Sequence, residues 1–414
     1  MTTAGTPLSH LPYFERLSQL EEGSPTFRAM SAGLVTLRLV DAWVMEGPHV
    51  AASDAWGMRA VREAVEAMDR GTTGRALLLK VLEAMDPSGA LASVRFVTPR
   101  LMAYARALQL DGEWALAADV YRTVLAHAHP LNDADSVINA NLMIAACSRT
   151  LARWDDAWEA YGSAGEVAAL TGDIMSMLKA RIGEANVLTE RGNLPEAESI
   201  LDQTILDAEQ LGMTELRALA LQDRAHTAHR RGDYDAAIAM QYLALQDVRT
   251  DNSRDRVLAD LAASFFEIGL HTAARDANLV LAATAQEQFT RWQATINLME
   301  LAGADHFEPV FEQYRRELST AALPPALSAW YFFYSGQGFR IFDRPEQARV
   351  AFERALEIAH QHQLNQVTFH AEQALGDLRD HIAIEGAAAA ATTPMVEDAA
   401  AGVRKMRELA GIKG

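Results

Sequence analysis

Three side chains are spaced so that they could share one metal ion. Asp223, His226 and His229 stand at i, i+3 and i+6 in "LALQDRAHTAHRRG". Residues three apart on a helix are neighbours, so two imidazoles and a carboxylate could converge there. The spacing equally suits a polar helix face with His226 and His229 turned towards a groove, and that reading is preferred. No metal and no cofactor is expected. His127 and His129 in "HAHP", and His360 and His362 in "AHQHQ", fall at apparent helix ends, where partial negative charge favours imidazole. Cys147 is the only cysteine. It rules out an intramolecular disulfide and a cysteine-built zinc site, and its apolar setting "MIAACSRT" predicts a buried small hydrophobe. The sequence has no glycine-rich phosphate loop, no nucleophile elbow and no reactive group with an evident partner, so no enzymatic activity is expected.

Composition narrows the classes further. Half of the 414 residues are hydrophobic and the formal charge is −18. Phosphate binding needs clustered Lys and Arg, so nucleic acid is not an expected partner. The best apolar stretch, "SAGLVTLRLVDAWVM", contains Arg38 and Asp41 and is too short to span a bilayer. A start of "MTTAGTPLSHLPYFERL" lacks a charged segment followed by an apolar run. With a single cysteine, this predicts a cytoplasmic protein without membrane contact.

The elements that must position these residues announce themselves by repetition. "LDGEWALAADVY", "TLARWDDAWEAY", "ERGNLPEAESIL" and "RRGDYDAAIAMQ" align on Gly112, Ala152, Gly192 and Gly232, each 40 residues after the last. A period of this size signals stacked supersecondary units. A register mark runs through Ala76, Ala117, Ala157, Ala197, Ala237, Ala274, Val310 and Ala348. Twelve residues before it, from the second unit on, stand Ala105, Ala145, Ala185, Ala225, Ala262, Leu298 and Gly336. Five before it stand Gly112, Ala152, Gly192, Gly232, Gly269, Asp305 and Asp343, and four after it Tyr121, Tyr161, Leu201, Gln241, Asn278, Tyr314 and Phe352. Small residues let two helices approach closely, and glycine at the turn supplies the left-handed conformation that ends a helix.

This pattern resembles the tetratricopeptide repeat family, with units longer than the family's usual 34 residues, as in tetratricopeptide sensor domains of some bacterial regulators. The resemblance implies an all-α, right-handed α-solenoid of seven or eight helical hairpins with helical caps. Residues 1–97 are expected to form an irregular cap with one degenerate hairpin, and residues 98–362 the solenoid, with a helix starting at Thr98-Pro99. Residues 363–385 suit a capping helix and 386–395 a linker. An amphipathic helix over 396–414 carries Val403, Met406 and Leu409 on one side. The proline that closes a unit survives only in traces such as Pro130.

In the resembled family the first helix of each hairpin lines a concave surface. The corresponding row in this chain includes Arg106, Arg149, Lys179, Asn186, Gln222, His226 and Arg256 as polar contacts. Phe266, Trp292, Trp330 and Phe333 are its apolar anchors. No position of the mapped row is acidic, although acids make up 55 of the 414 residues. Core burial excludes acids at some of these positions whatever the function. The functional alternative is a groove for an acidic peptide or protein segment, which makes the chain a scaffold or adaptor. Only Lys179 and Asn186 resemble parts of the Asn and Lys clamp of chaperone-binding relatives, so a chaperone tail is not the expected partner. The other reading is a sensor that binds a signalling peptide or small molecule and relays it to a separate effector. Oligomeric state is not legible.

Overall fold

The structure, a computed structural model, describes residues 8–46, 55–86, 94–128, 133–362, 364–380 and 392–413. His129, Pro130 and positions 386–391 of the expected linker lie outside the described residues. Among the described residues there are twenty helices and no strand, and no helix is long and apolar enough to cross a membrane. The chain divides into two compact units, residues 1–204 and 205–414.

The first unit contains α1 (Leu11–Ser18), α2 (Pro25–Glu46), α3 (Ala55–Glu66), α4 (Thr73–Met85), α5 (Val94–Leu110), α6 (Trp114–Ala128), α7 (Ala134–Thr150), α8 (Trp154–Thr171) and α9 (Ile174–Glu190). The unit boundary falls within α10 (Leu194–Gln210). The second unit contains α11 (Thr214–Arg230), α12 (Tyr234–Asp247), α13 (Asp251–Glu267), α14 (His271–Thr284), α15 (Gln288–Ala304), α16 (Glu308–Ser319), α17 (Pro325–Ile341), α18 (Pro345–Gln361), α19 (Asn365–Arg379) and α20 (Pro394–Leu409). Within each unit, helices consecutive in sequence pack on one another as hairpins.

The hairpin turns share one backbone device. A left-handed residue follows the first helix at Gly112, Ala152, Gly192, Gly232, Gly269, His306 and Asp343. The next amide then donates back to a carbonyl five residues earlier, as from Glu113 to Leu108 (2.8 Å), Arg153 to Ser148 (2.8 Å) and Arg344 to Phe339 (2.8 Å). This closes the helix by satisfying carbonyls that would otherwise be orphaned. The turn residues lie 40 apart from Gly112 to Gly232 and 37 apart from Gly232 to Asp343. The first helices α5, α7, α9, α11, α13, α15 and α17 are all 17 residues long. The second helices absorb the variation, from 18 residues in α8 to 14 in α12 and α14 and 12 in α16.

Five expectations from the sequence need correction. The turn of the α15–α16 hairpin is His306, not Asp305, and its register mark is the fully buried Phe311 rather than Val310. Neither turn candidate is glycine, so the left-handed position left no signature. Ala76 is exposed on α4, whose buried residues include Leu78 and Leu82, so the mark does not extend back to it. Helix α5 begins at Val94 and runs through Pro99. One amide is lost near its start, outweighed by burial of Val97, Leu101 and Tyr104. On α20 the packed side is Val396, Ala399 and Val403, whereas Leu409 is exposed.

Helix α20 packs on α12 and α14. Tyr242 occupies the space over Gly402, where an added Cβ would lie 2.3 Å from its hydroxyl. Asp276 of α14 is buried, and Arg407 reaches it at 3.0 Å.

In the first unit a buried charge network ties α1 to the hairpins. His10 caps α1, with Nδ1 2.6 Å from Asp119 of α6 and Nε2 3.0 Å from Asp41 of α2. The other Asp41 oxygen meets His127 Nε2 at 3.0 Å. His127 does sit in the last turn of α6, but it is buried against a carboxylate and not merely placed in the field of the helix end. Burial opposes charge on His10, yet hydrogen bonds to Asp119 and Asp41 outweigh it and raise the imidazole to about 9. For Asp41 burial acts against ionisation, but the His10 and His127 hydrogen bonds hold the carboxyl below its usual range.

Two outcomes follow from this architecture. Ala152 is a non-glycine residue at φ 54°, so Ala152→Gly should raise stability by about 1 kcal/mol, read as a higher urea midpoint. His10 has a raised pKa when folded, so its contribution is complete below 6.5 and is lost as pH rises through about 9. His10→Gln should therefore cost on the order of 3 kcal/mol at and below neutral pH. In urea titrations at stepped pH, the gap between wild type and variant should shrink above pH 9; a pH-independent gap would refute the charged imidazole.

Candidate functional site

In the first unit the row of candidate residues lies on the 17-residue helices α5, α7 and α9. Arg106 and Lys179 are exposed, Arg149 is half-buried and Asn186 is buried. The Arg149 Nε is buried with no hydrogen-bond partner among the described residues. Arg106 Nη1 donates to Gln109 Oε1 (3.4 Å), which also accepts from the Tyr121 hydroxyl (2.9 Å). Gln109 Nε2 in turn points at the Cys147 sulfur (3.2 Å). Burial pushes the Cys147 thiol up to about 11, outweighing the Gln109 contact, so it is a packing residue and not a nucleophile. Among the described residues none of Arg106, Arg149 and Lys179 is ion-paired with an acid.

In the second unit the polar part of the row is engaged with itself. Arg256 Nε donates to Gln222 Oε1 (3.1 Å), and Gln222 Nε2 donates to Asp260 Oδ2 (2.6 Å). The chain Arg256–Gln222–Asp260 links α13 to α11. Burial pushes the Asp260 carboxyl up, with the Gln222 hydrogen bond opposing. His226 is exposed. His229 meets Tyr234 edge-on at 5.0 Å, and burial followed by the His226 charge lowers its pKa. Among the described residues no group of three or more His, Cys, Asp or Glu is placed to hold a metal ion.

The apolar part of the row converges on a pocket of about 200 Å³ formed by α13, α15 and α17. Phe266 and Phe333 line it together with Glu300, Tyr334 and Gln337. Trp330 lies outside the lining and stacks on Tyr334 at 5.5 Å, and Trp292 packs against the core around α15 to α19. Glu300 and Tyr334 were not picked out by the sequence. Tyr334 stands one residue after the row's Phe333, and Glu300 one residue after Met299, which lies seven residues, about two turns, beyond the row's Trp292; one residue turns a helix by about 100°, so each flanks the row. Asp260 and Glu267 follow Ala259 and Phe266 in the same way. The row is free of acids, but in this unit its edge is not. A carboxylate interrupting the apolar run "TINLMELAGA" was the available signal for Glu300.

Burial pushes the Glu300 carboxyl up to about 8, and the Glu267 carboxylate adds to the shift. Burial likewise raises the Tyr334 phenol, with Glu300 and Glu267 contributing. The pocket therefore joins aromatic walls to a carboxyl group that no neighbouring cation stabilises.

No family's sequence profile matches the chain, and no curated protein is similar to it in sequence. Solved structures do resemble it. The apo form of the quorum sensor NprR from B. thuringiensis is 13% identical, with a TM-score of 0.50, over 84% of this chain and 92% of that one. A Rap protein complexed with Competence and Sporulation Factor is 11% identical, with a TM-score of 0.47, over 85% of this chain and 98% of that one. A tetratricopeptide repeat protein from Parabacteroides merdae ATCC 43184 is 13% identical, with a TM-score of 0.44, over 68% of this chain and 98% of that one. At such identities the likeness extends to the fold.

The shifted carboxyl has a measurable consequence. A folded pKa of about 8 means that Glu300 favours the folded state below its ordinary 4.5, and that this contribution is lost as pH rises towards 8. Glu300→Gln keeps the neutral form at every pH. It should match wild type in acid and exceed its stability by at least about 1 kcal/mol in mild alkali. Chemical denaturation across that range checks the sign; a variant less stable than wild type in alkali would contradict it.

Proposed function

We propose that this chain, whose fold is that of the tetratricopeptide-type α-solenoids, is a non-enzymatic cytoplasmic scaffold that holds a peptide or protein segment along its first helices. The observation that carries this reading is the state of the cations in the first unit. Arg106, Arg149 and Lys179 are spread over three successive first helices with no carboxylate at salt-bridge distance among the described residues, and only Lys179 acts on an acid, Asp173 at the start of its own helix, in a chain of net charge −18. Acids are abundant enough to have paired with them. Leaving them unpaired creates a positive strip suited to an acidic segment, with Asn186 beside it. In the second unit Gln222, His226 and Arg256 extend the polar contacts, and Phe266, Trp292, Trp330 and Phe333 supply anchors of the kind that dominate binding energy.

A second reading, a sensor that relays a bound peptide or small molecule to a separate effector, is favoured by the pocket in the second unit. A sensor would compact on loading, which small-angle scattering would register.

The scaffold reading is tested with a fluorescent, acetylated tetraglutamate peptide and its tetralysine counterpart. The acidic peptide should bind wild type more tightly, with affinity falling as salt is added. Arg149→Glu combined with Lys179→Glu should lower that affinity at least about tenfold, while helicity by circular dichroism stays unchanged. Full binding by the double variant would remove the reading.

A further inference from the structure

The pocket between α13, α15 and α17 has properties that a hydrophobic anchor site would not need. Three residues with polar groups line it: Glu300, Tyr334 and Gln337. Among the described residues none of the three has a hydrogen-bond partner. All three residues are half-buried, so water reaches the recess, and a ligand with complementary polar groups can take its place.

Charge and shape then select its chemistry. The charged group that acts on Glu300 is another carboxylate, Glu267 of α13. Tyr334 of α17 and His229 of α11 also feel the Glu267 charge, so the negative field is shared across the pocket's neighbourhood. The walls are the rings of Phe266, Phe333 and Tyr334. Aromatic faces attract a cation through their quadrupoles, most strongly where water is excluded. A carboxylate behind such walls completes the recognition of a positive charge carried on an apolar stem. The volume, about 200 Å³, is below the roughly 300–1,000 Å³ of pockets that enclose whole small molecules. It suits one long side chain.

We propose that this pocket receives the side chain of a lysine from a bound peptide. Glu300 is the counter-ion of its ammonium group, and Phe266, Phe333 and Tyr334 pack around its methylenes. Lysine fits because its charge is compact and its stem flexible, so the head can reach the carboxylate while the stem stays on the rings. The proposal rests on the reading of the chain as a peptide-binding scaffold. It gives the second unit a preference of its own, for a positively charged residue.

The test uses the full chain with tyrosine-labelled NMR, at constant ionic strength and at a pH above the Glu300 transition. n-Butylammonium chloride, which reproduces the lysine stem and head, should shift the Tyr334 resonance saturably. It should bind at least about tenfold more tightly than n-butanol. Glu300→Gln should abolish that preference, and Phe266→Leu should weaken binding of both probes. Equal affinity for amine and alcohol, or an unchanged preference in Glu300→Gln, would overturn the assignment. An acetylated, amidated alanine pentapeptide with a central lysine should bind at least as tightly as butylammonium, and weaker binding would overturn the peptide source. Because the tetraglutamate assay depends on the first unit, loss of capture there leaves amine binding intact, and the reverse also holds.

Discussion

The fold depends on how closely the helices of each hairpin, and their neighbours, can approach. At Gly183 on α9 an added Cβ would lie 2.2 Å from the Tyr161 ring of α8. At Gly336 and Gly338 on α17 it would lie 2.6 Å from Phe352 of α18 and 2.1 Å from Phe311 of α16. A ring thus fills the space that a missing side chain opens. The register alanines Ala117, Ala157, Ala237, Ala274 and Ala348 are fully buried for the same reason. Repetition of this contact fixes which face of each first helix is buried and which is left for contacts outside the hairpin. Seven first helices of identical length follow from it, and variation is pushed into the second helices.

How far the sequence reveals this depends on the residue carrying each signal. Turn glycines are legible because a left-handed backbone favours them, and Ala152 and Asp343 were legible only by register with those glycines. His306 was misplaced by one residue because nothing in its type marks the conformation. The buried network was not legible at all. His10 bonds residues 31 and 109 positions away, and no local spacing encodes such pairs. The site divides along the same line. Phe266 and Phe333 sit on the mapped row, but Glu300 and Tyr334 flank it, and a single row of positions samples too narrow a stripe of a helix surface.

Charge is distributed in this chain by function of place rather than by average. In the first unit an imidazolium is locked between two buried carboxylates, where geometry satisfies every charged atom named. Breaking such a pair is costly even though its net contribution is modest, so the network specifies where α1 docks more than it adds stability. In the first unit the cations Arg106, Arg149 and Lys179 stand in the opposite condition, with no carboxylate at salt-bridge distance among the described residues. In the second unit Glu300 is half-buried and disfavoured as an ion. Net charge alone would have assigned all three places the same character.

Helix α20 covers an apolar surface of the second unit on its second-helix side. A solenoid must cover the apolar surface at its ends, and a mobile amphipathic segment could do so by occupying either face. Here α20 packs on α12 and α14, the two second helices shortened to 14 residues. Its position is specified by more than hydrophobic contact. Gly402 admits Tyr242, and the buried Asp276 needs Arg407, so a shift along either helix would leave a ring without space or a carboxylate without its partner. The first helices α13 and α15, which build the pocket with α17, are not the surface this helix is shaped to cover. Fixing α20 on the second-helix side satisfies the need to bury apolar surface while leaving the carboxyl and the aromatic walls of the pocket to a ligand.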